Sequence, residues 1–285
     1  MADLTAIILT KNESKNIVDC IESIKGLAKR IVVVDSGSTD DTVELAIKYG
    51  AEVFSHPFEN YARQFNWAID NTRIDTKWTL RLDADERFTP ELCARIEKEC
   101  ALHAEDDVNG FTLAAWLYFM GKRLTYGGAR KRKLMVFKTG IGRIEDRKMD
   151  EHTILSEGTS IEIEERFLHY DFKDLTTYVK KLNWYATREM QDYFAGLFPD
   201  QSFEASNEKI SKIRNKKTKY YKAPMFLRCW IFFLYAYLLK GNFLNGKEGF
   251  IYSFLYHFYY RMLVDMKIYE QMKTNAPFEE TGDLK

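Results

Sequence analysis

Two carboxylates two residues apart, Asp83 and Asp85 in Asp83-Ala84-Asp85-Glu86, open the chemistry of this chain. Carboxylate oxygens are hard donors, and a small divalent cation such as Mg²⁺ or Mn²⁺ takes one or two of them together with phosphate oxygens and water. A cation so held can neutralise the charge that builds up on a departing diphosphate. Short acidic turns are common on surfaces. This one, however, follows Trp78-Thr79-Leu80-Arg81-Leu82, which has the pattern of a buried strand. A buried strand ending in a cluster of acids needs a cation to meet them.

Earlier in the chain, other polar groups end other strands. Thr5–Leu9 is a short apolar run that delivers Thr10, Asn12 and Glu13, and Ile31–Val34 is a β-branched run that ends on Asp35. Between them, Ile17, Ile21, Ile24 and Leu27 keep helical spacing. Ser36-Gly37-Ser38-Thr39-Asp40 has turn and helix-capping chemistry and leads into a helix closed by Gly50. Asp40 and Asp41 are read as capping residues. Ala51–Ser55 is predicted as a third strand, 60–71 as a helix with Phe65, Ala68 and Ile69 inward, and Thr89-Pro90-Glu91 as a helix start. Alternating strands and helices predict parallel βαβ units, and open sheets of that kind bind ligands at the carboxyl ends of their strands. A β-rich stretch follows from Phe111 to Phe137 with a hairpin tip at Gly121-Lys122. Ser160–Glu164 is strand-like, and from Asp174 onward the pattern is mainly helical.

Four motifs now stand in order: Thr10-Lys11-Asn12-Glu13, Val33-Val34-Asp35-Ser36-Gly37-Ser38-Thr39-Asp40, Gln64-Phe65-Asn66-Trp67-Ala68 and Trp78 to Glu86. Together they resemble family 2 glycosyltransferases of the GT-A fold, especially the bacterial branch that includes lipopolysaccharide-core glucosyltransferases. The resemblance covers residues 4–95 strongly and 110–190 more loosely. It implies an α/β fold, a GT-A (Rossmann-like) mixed sheet flanked by helices, in a domain over 1–200, with a helical, basic and aromatic-rich extension over 201–285. It also implies an inverting, metal-dependent transfer from a nucleotide sugar to a saccharide or lipid-linked acceptor, with Mn²⁺ or Mg²⁺ as cofactor.

Residue by residue, the resemblance implies that Thr10, Asn12 and Glu13 line the nucleotide pocket and that Asp35 accepts a hydrogen bond from the base, uracil. Gln64 or Asn66 would border the nucleotide, and Arg63 is a weaker candidate for the diphosphate. Asp83 would contact ribose or metal, and Asp85 would be the main metal ligand. His169, in Phe167-Leu168-His169-Tyr170, would reach the metal or diphosphate; its bland alternative is a satisfied core histidine. An inverting transfer also needs a base for the acceptor hydroxyl. Within Arg147-Lys148-Met149-Asp150-Glu151-His152, Glu151 aligns best with that acid and Asp150 second; either could instead pair with the neighbouring cations. Lys180 or Lys181 could approach phosphate, with a solvated face as the simpler expectation.

Composition sets bounds on the rest. The 285 residues are 46% hydrophobic, ample for a core, and the zero formal net charge gives no reason to expect nucleic acid as a partner. Cys20, Cys93, Cys100 and Cys229 form no metal-type spacing and are expected as free thiols of a reducing compartment. Met1–Leu4 enters a strand pattern at once, which predicts no ordinary secretory signal. The uncharged apolar stretches Cys229–Leu239 and Phe250–Tyr260 are shorter than the roughly 20 residues that cross a bilayer. A cytoplasmic protein is therefore expected.

Seven Lys or Arg and no acid lie between Lys209 and Lys222, ahead of the aromatic tail. Gly241-Asn242-Phe243-Leu244-Asn245-Gly246-Lys247-Glu248-Gly249-Phe250 resembles a motif near the C-terminus of the same bacterial branch. Two expectations stand side by side for the tail: in-plane helices on the inner face of the cell membrane, or the core of a helical lobe or homodimer contact. Two other functions are compatible with a sheet of this kind. A sugar-nucleotide nucleotidyltransferase would show a glycine-rich basic loop where this chain has Thr10-Lys11-Asn12-Glu13. A membrane-associated glycan-binding protein without catalysis would have no need of the acids.

Overall fold

The computed structural model describes residues 1–127, 132–146, 152–195 and 218–274. These fall into two compact units, Met1–Tyr118 with Arg130–Asp171, and Phe119–Ala129 with Phe172–Lys285.

In the first unit, β1 (Ala2–Thr10), β2 (Ala28–Asp35), β3 (Glu52–Ser55) and β4 (Trp78–Asp83) pair in parallel in the order β3-β2-β1-β4. The connections are α1 (Ile17–Ile24), α2 (Thr42–Lys48) and α3 (Tyr61–Asn71). After the short β5 (Glu86–Arg87) and α4 (Pro90–Leu102), the chain adds β6 (Val108–Phe119), β8 (Arg132–Lys138) and β11 (Thr159–His169). The full order is β3-β2-β1-β4-β8-β6-β11-β5, with β8 antiparallel to both β4 and β6 and β11 parallel to β6. This is the mixed α/β sheet flanked by helices expected of a GT-A fold. β9 (Gly142–Ile144) and β10 (Thr153–Leu155) form a separate antiparallel pair.

Side chains alternate across a strand, so a sheet buried on both faces sends successive apolar residues to opposite cores. Leu4, Ala6 and Ile8 pack with Ile17, Ile21 and Ile24 of α1 and with Leu92 and Ile96 of α4. Ile7 points the other way and packs with Val32, Val34 and with Ala62, Phe65 and Ala68 of α3. The continuous apolar runs that marked these strands in the sequence are the consequence. Helix starts also follow local chemistry. Asn60 caps α3 by accepting from Arg63 N at 2.8 Å, and Thr89 caps α4 ahead of Pro90 by accepting from Leu92 N at 3.3 Å. All four cysteines are free thiols.

The second unit begins with the turn at Met120-Gly121, both at positive φ, and β7 (Lys122–Arg123). It continues with α5 (Leu175–Phe194), α6 (Leu227–Leu234), a π-helical segment Tyr235–Leu239, a 3-10 turn Asn242–Asn245, α7 (Gly246–Tyr252), a second π-helical segment Ser253–Tyr259, and α8 (Tyr260–Thr274). α5, which falls within the 1–200 span expected of the first domain, is part of the second unit. Glu189 of α5 explains why, since its carboxylate accepts from Tyr260 Oη and, at 2.8 Å, from Arg261. Among the described residues no helix is long and apolar enough to cross a membrane.

Candidate active site

Strand register brings the polar strand ends together. Thr10 lies opposite Asp35 across β1 and β2, and Leu9 lies opposite Asp83 across β1 and β4. Thr10, Asp35 and Asp83 therefore occupy one edge of the sheet, where the loops leave it.

Asp35 organises the loop after β2. Its Oδ1 accepts from Thr10 Oγ1 at 2.8 Å and Ser38 Oγ at 2.5 Å, and its Oδ2 accepts from the amides of Gly37 at 2.9 Å and Ser38 at 2.7 Å. A carboxylate offers about four acceptor positions, and all are engaged here. A ligand N–H would reach Asp35 by displacing one donor; the Ser38 hydroxyl, which already accepts from Asn12 N at 2.8 Å, is the one that can re-pair. Asn12 sits at positive φ and its Oδ1 accepts from Thr39 N, so it ties the two loops together. Glu13 does similar work: its amide donates to Thr42 Oγ1 and its carboxylate accepts from Asn16.

Gln64 is fully buried and donates to Ser36 Oγ at 3.1 Å and His56 O at 3.0 Å, so it borders the loop of Asp35 from α3. Asn66 faces elsewhere. Its side chain exchanges two hydrogen bonds with the backbone of Ile144, at 2.8 and 3.0 Å, and so clamps β9 to α3. Arg63 is exposed and pairs with Glu59 and Asp146.

The acidic turn is divided between two environments. Asp83 Oδ1 accepts from Tyr61 Oη at 2.6 Å and its Oδ2 from Lys133 Nζ at 2.5 Å. Arg81 donates to Tyr61 Oη at 2.9 Å, and Lys133 also pairs with Glu86, which accepts from Asp83 N. Burial by itself would raise the pKa of Asp83, but the charges of Lys133 and Arg81 outweigh it and hold that carboxyl well below its usual range. Burial dominates at Glu86 and moves its pKa up.

Asp85 points to a different set. Its carboxylate lies 3.4 Å from His169 Nε2, and Asp85, His169 and Asp171 bring one potential ligand atom each within 4.8 Å of one another. Backbone pairing creates this arrangement: β11 runs antiparallel to β5 with His169 opposite Glu86, and Tyr170 N donates to Asp85 O at 2.8 Å. Tyr170 is fixed in turn between the ring of Tyr118 and the guanidinium of Arg87. His169 Nδ1 is buried with no hydrogen-bond partner among the described residues, and Nε2 is beyond good hydrogen-bond distance of Asp85. An imidazole so placed beside two carboxylates suits a divalent cation. The donor set of one nitrogen and two carboxylate oxygens suits Mn²⁺ better than Mg²⁺, which favours oxygen alone.

Sequence reasoning missed Asp171, Lys133 and Tyr61. Asp171 stands two residues beyond His169 and could have been found by repeating the spacing test applied to Asp83 and Asp85. Nothing local marks Lys133, whose partner acids are about fifty residues away in sequence. Glu151 and Asp150, the expected bases, lie outside the described residues. Lys180 and Lys181 lie on α5, in the second unit.

The family profile of glycosyl transferase family 2 matches residues 5–154, which include this sheet edge and the acidic turn. The chain belongs to this family and is a glycosyltransferase. It is similar over 96% of its length, at 28% identity, to the lipopolysaccharide core biosynthesis glycosyltransferase LpsC of Rhizobium meliloti, covering 94% of that protein. An uncharacterized glycosyltransferase of Rickettsia conorii is 26% identical over 90% of this chain and 86% of its own. Among solved structures, glucosyl-3-phosphoglycerate synthase of Mycobacterium tuberculosis, in complex with Mn²⁺, UDP and glucosyl-3-phosphoglycerate, aligns with a TM-score of 0.33 and 20% identity, over 40% of this chain and 44% of that one.

Proposed function

We propose that the chain is an inverting hexosyltransferase that moves a sugar from a UDP-linked donor to a saccharide or lipid-linked acceptor in bacterial cell-surface glycan synthesis. It would work in the cytoplasm, peripherally on the inner face of the cell membrane. The observation that carries the donor chemistry is the convergence of Asp85, His169 and Asp171 beside the Thr10–Asp35 edge. The similarity to a lipopolysaccharide core glycosyltransferase over nearly the whole chain supports the acceptor class.

Thr10, Asn12, Glu13 and Asp35 form the nucleotide end of the pocket, with Gln64 holding the Asp35 loop from below. Asp83, fixed between Tyr61 and Lys133, presents an ionised carboxylate toward the ribose rather than serving as a ligand. Asp85, His169 and Asp171 would hold the cation. Mn²⁺ bound there would neutralise the charge that develops on the departing diphosphate. Glu151, with Asp150 as the second carboxylate, takes the proton of the acceptor hydroxyl as its oxygen attacks the anomeric carbon from the face opposite the leaving group.

The test is a donor screen that measures UDP release from UDP-glucose and UDP-N-acetylglucosamine, with Mn²⁺ or with a chelator. Release that needs the metal and disappears in Asp85→Ala is expected. An Asp85→Ala protein with full metal-dependent turnover would overturn the assignment.

A further inference from the structure

The C-terminal unit is built inside out along one face. Arg228 and Asp265 are 2% and 0% exposed and pair through both guanidinium Nε and Nη2, and Glu189 is buried with Tyr221, Tyr260 and Arg261. Asn242, Asn245 and Ser253 form a second buried polar knot. Gly249 packs so closely on Asn242 that a Cβ there would stand 2.3 Å from its carbonyl oxygen. A row of apolar residues lies outside. Leu227, Trp230, Ile231, Leu234 and Leu238 recur at helical spacing along α6 and its π-helical continuation, and all are exposed, Trp230 at 51% and Ile231 at 56%.

This stripe does not end with its helix. Trp230 packs on Phe258 at 4.3 Å between ring centroids, Phe258 on Phe254 at 5.6 Å, Phe254 on Phe250 at 6.3 Å, and Phe250 on Tyr237 at 5.7 Å. Phe254, Phe250 and Phe243 are themselves exposed, which makes one continuous apolar surface. Water-facing monomer surfaces rarely carry a patch of this extent.

The chemistry around the patch selects its partner. Between Phe226 and Tyr260 the sequence holds one acid, Glu248, and that acid is paired with Lys122 at 3.2 Å. Lys240 and Lys247 are exposed at the rim, and Lys240 lies over the ring of Tyr235. Aromatic rings with polar tips and lysines around aliphatic side chains suit the boundary between headgroups and acyl chains. A depression of about 540 Å³ opens in the same surface, walled by Tyr237, Phe243, Phe250 and Ile251 with Lys247 at its edge. An acyl chain with an anionic headgroup fits both parts of that lining.

We propose that this face, Leu227 to Leu238 together with Phe243, Phe250 and Phe254, seats the protein on an anionic lipid surface, with Lys240 and Lys247 meeting the headgroups. The proposal deepens the membrane placement given above, and it does not depend on the donor chemistry. The experiment is co-sedimentation of the full chain with vesicles of phosphatidylcholine alone or mixed with phosphatidylglycerol. The wild type is expected to partition onto the mixed vesicles and less onto phosphatidylcholine. Ile231→Glu combined with Leu238→Glu should lower partitioning at least about tenfold, and Lys247→Ala about fivefold on the mixed vesicles only. Metal-dependent UDP release in solution should be the same in all three proteins, which separates a failure of this inference from a failure of the donor site. Wild-type protein left in the supernatant with both vesicles would overturn it. So would a wild-type dimer in sedimentation velocity that the double variant dissolves, because a second copy would then cover the face.

Discussion

The two units differ in what they present to solvent. In the first, apolar side chains fill both faces of the sheet and the carboxylates gather at one edge, where a ligand can reach Asp85. In the second, an ion pair is buried, and a row of leucines and aromatics along α6 and the segments after it is left exposed. A buried charge is costly unless it is paired and hydrogen-bonded, and both units meet that demand, Lys133 with Asp83 and Glu86 in one, Arg228 with Asp265 in the other. The difference lies in what each arrangement presents. The first unit brings a histidine and two acids within 4.8 Å of one another, a group that could hold a cation, and the second exposes an apolar face.

The sharpest way to break the comparison is at the acids beside His169. Asp85→Ala should reduce UDP release by about a thousandfold or more. Lys133→Met and Asp265→Ala come next. Each removes one partner of a buried pair and should cost about 3–5 kcal/mol in urea unfolding. They should diverge in function: Lys133→Met also impairs donor turnover by freeing Asp83, whereas Asp265→Ala leaves turnover of the remaining folded protein intact.

Acid should separate the units as well. His257 sits among the rings of Phe232, Tyr252 and Tyr256, and burial, with Arg261 adding to it, lowers its pKa to about 3. The unfolded chain binds that proton near pH 6.5, so the second unit should lose stability as pH falls from about 6.5 toward 3. The depressed Asp83 acts later. Its contribution is present above about pH 3.9 and is lost only as pH falls toward its lower folded value. Hydrogen exchange by mass spectrometry should therefore show peptides of α7 and α8 opening first on acidification, and His257→Phe should remove that lead. The smallest effect is local. Asn60→Ala removes the cap of α3 and should cost about 1 kcal/mol, read by chemical denaturation.

Much of the first unit was legible because its signals are local. The runs Thr5–Leu9 and Ile31–Val34 are β-branched or apolar and short, Thr89-Pro90 is a helix start wherever it occurs, and strands ending in polar residues announce a ligand edge. What stayed hidden depends on long-range register. Lys133 meets Asp83 only because β8 runs antiparallel beside β4, and Asp171 meets Asp85 only because β11 pairs with β5. Asn66 looked like its neighbour Gln64 in sequence, yet two positions along a helix turn the side chain far around the axis, toward β9. The Gly241–Phe250 motif was legible as a motif but not as a role. Its asparagines hold the lobe together, and Asn245 also accepts from Thr125 N at 3.0 Å. The tail's aromatics could be core or surface on composition alone, since amphipathic patterning does not say which side faces water when the polar side is also buried.

The central claim is that Asp85, His169 and Asp171 hold the cation. Electron spin-echo spectroscopy of Mn²⁺ bound to protein labelled with ¹⁵N-histidine tests it directly. The account predicts modulation from a directly coordinated imidazole nitrogen, lost in His169→Ala and weakened in affinity in Asp171→Asn. Mn²⁺ that binds without histidine coupling, or a coupling unchanged in His169→Ala, would contradict it.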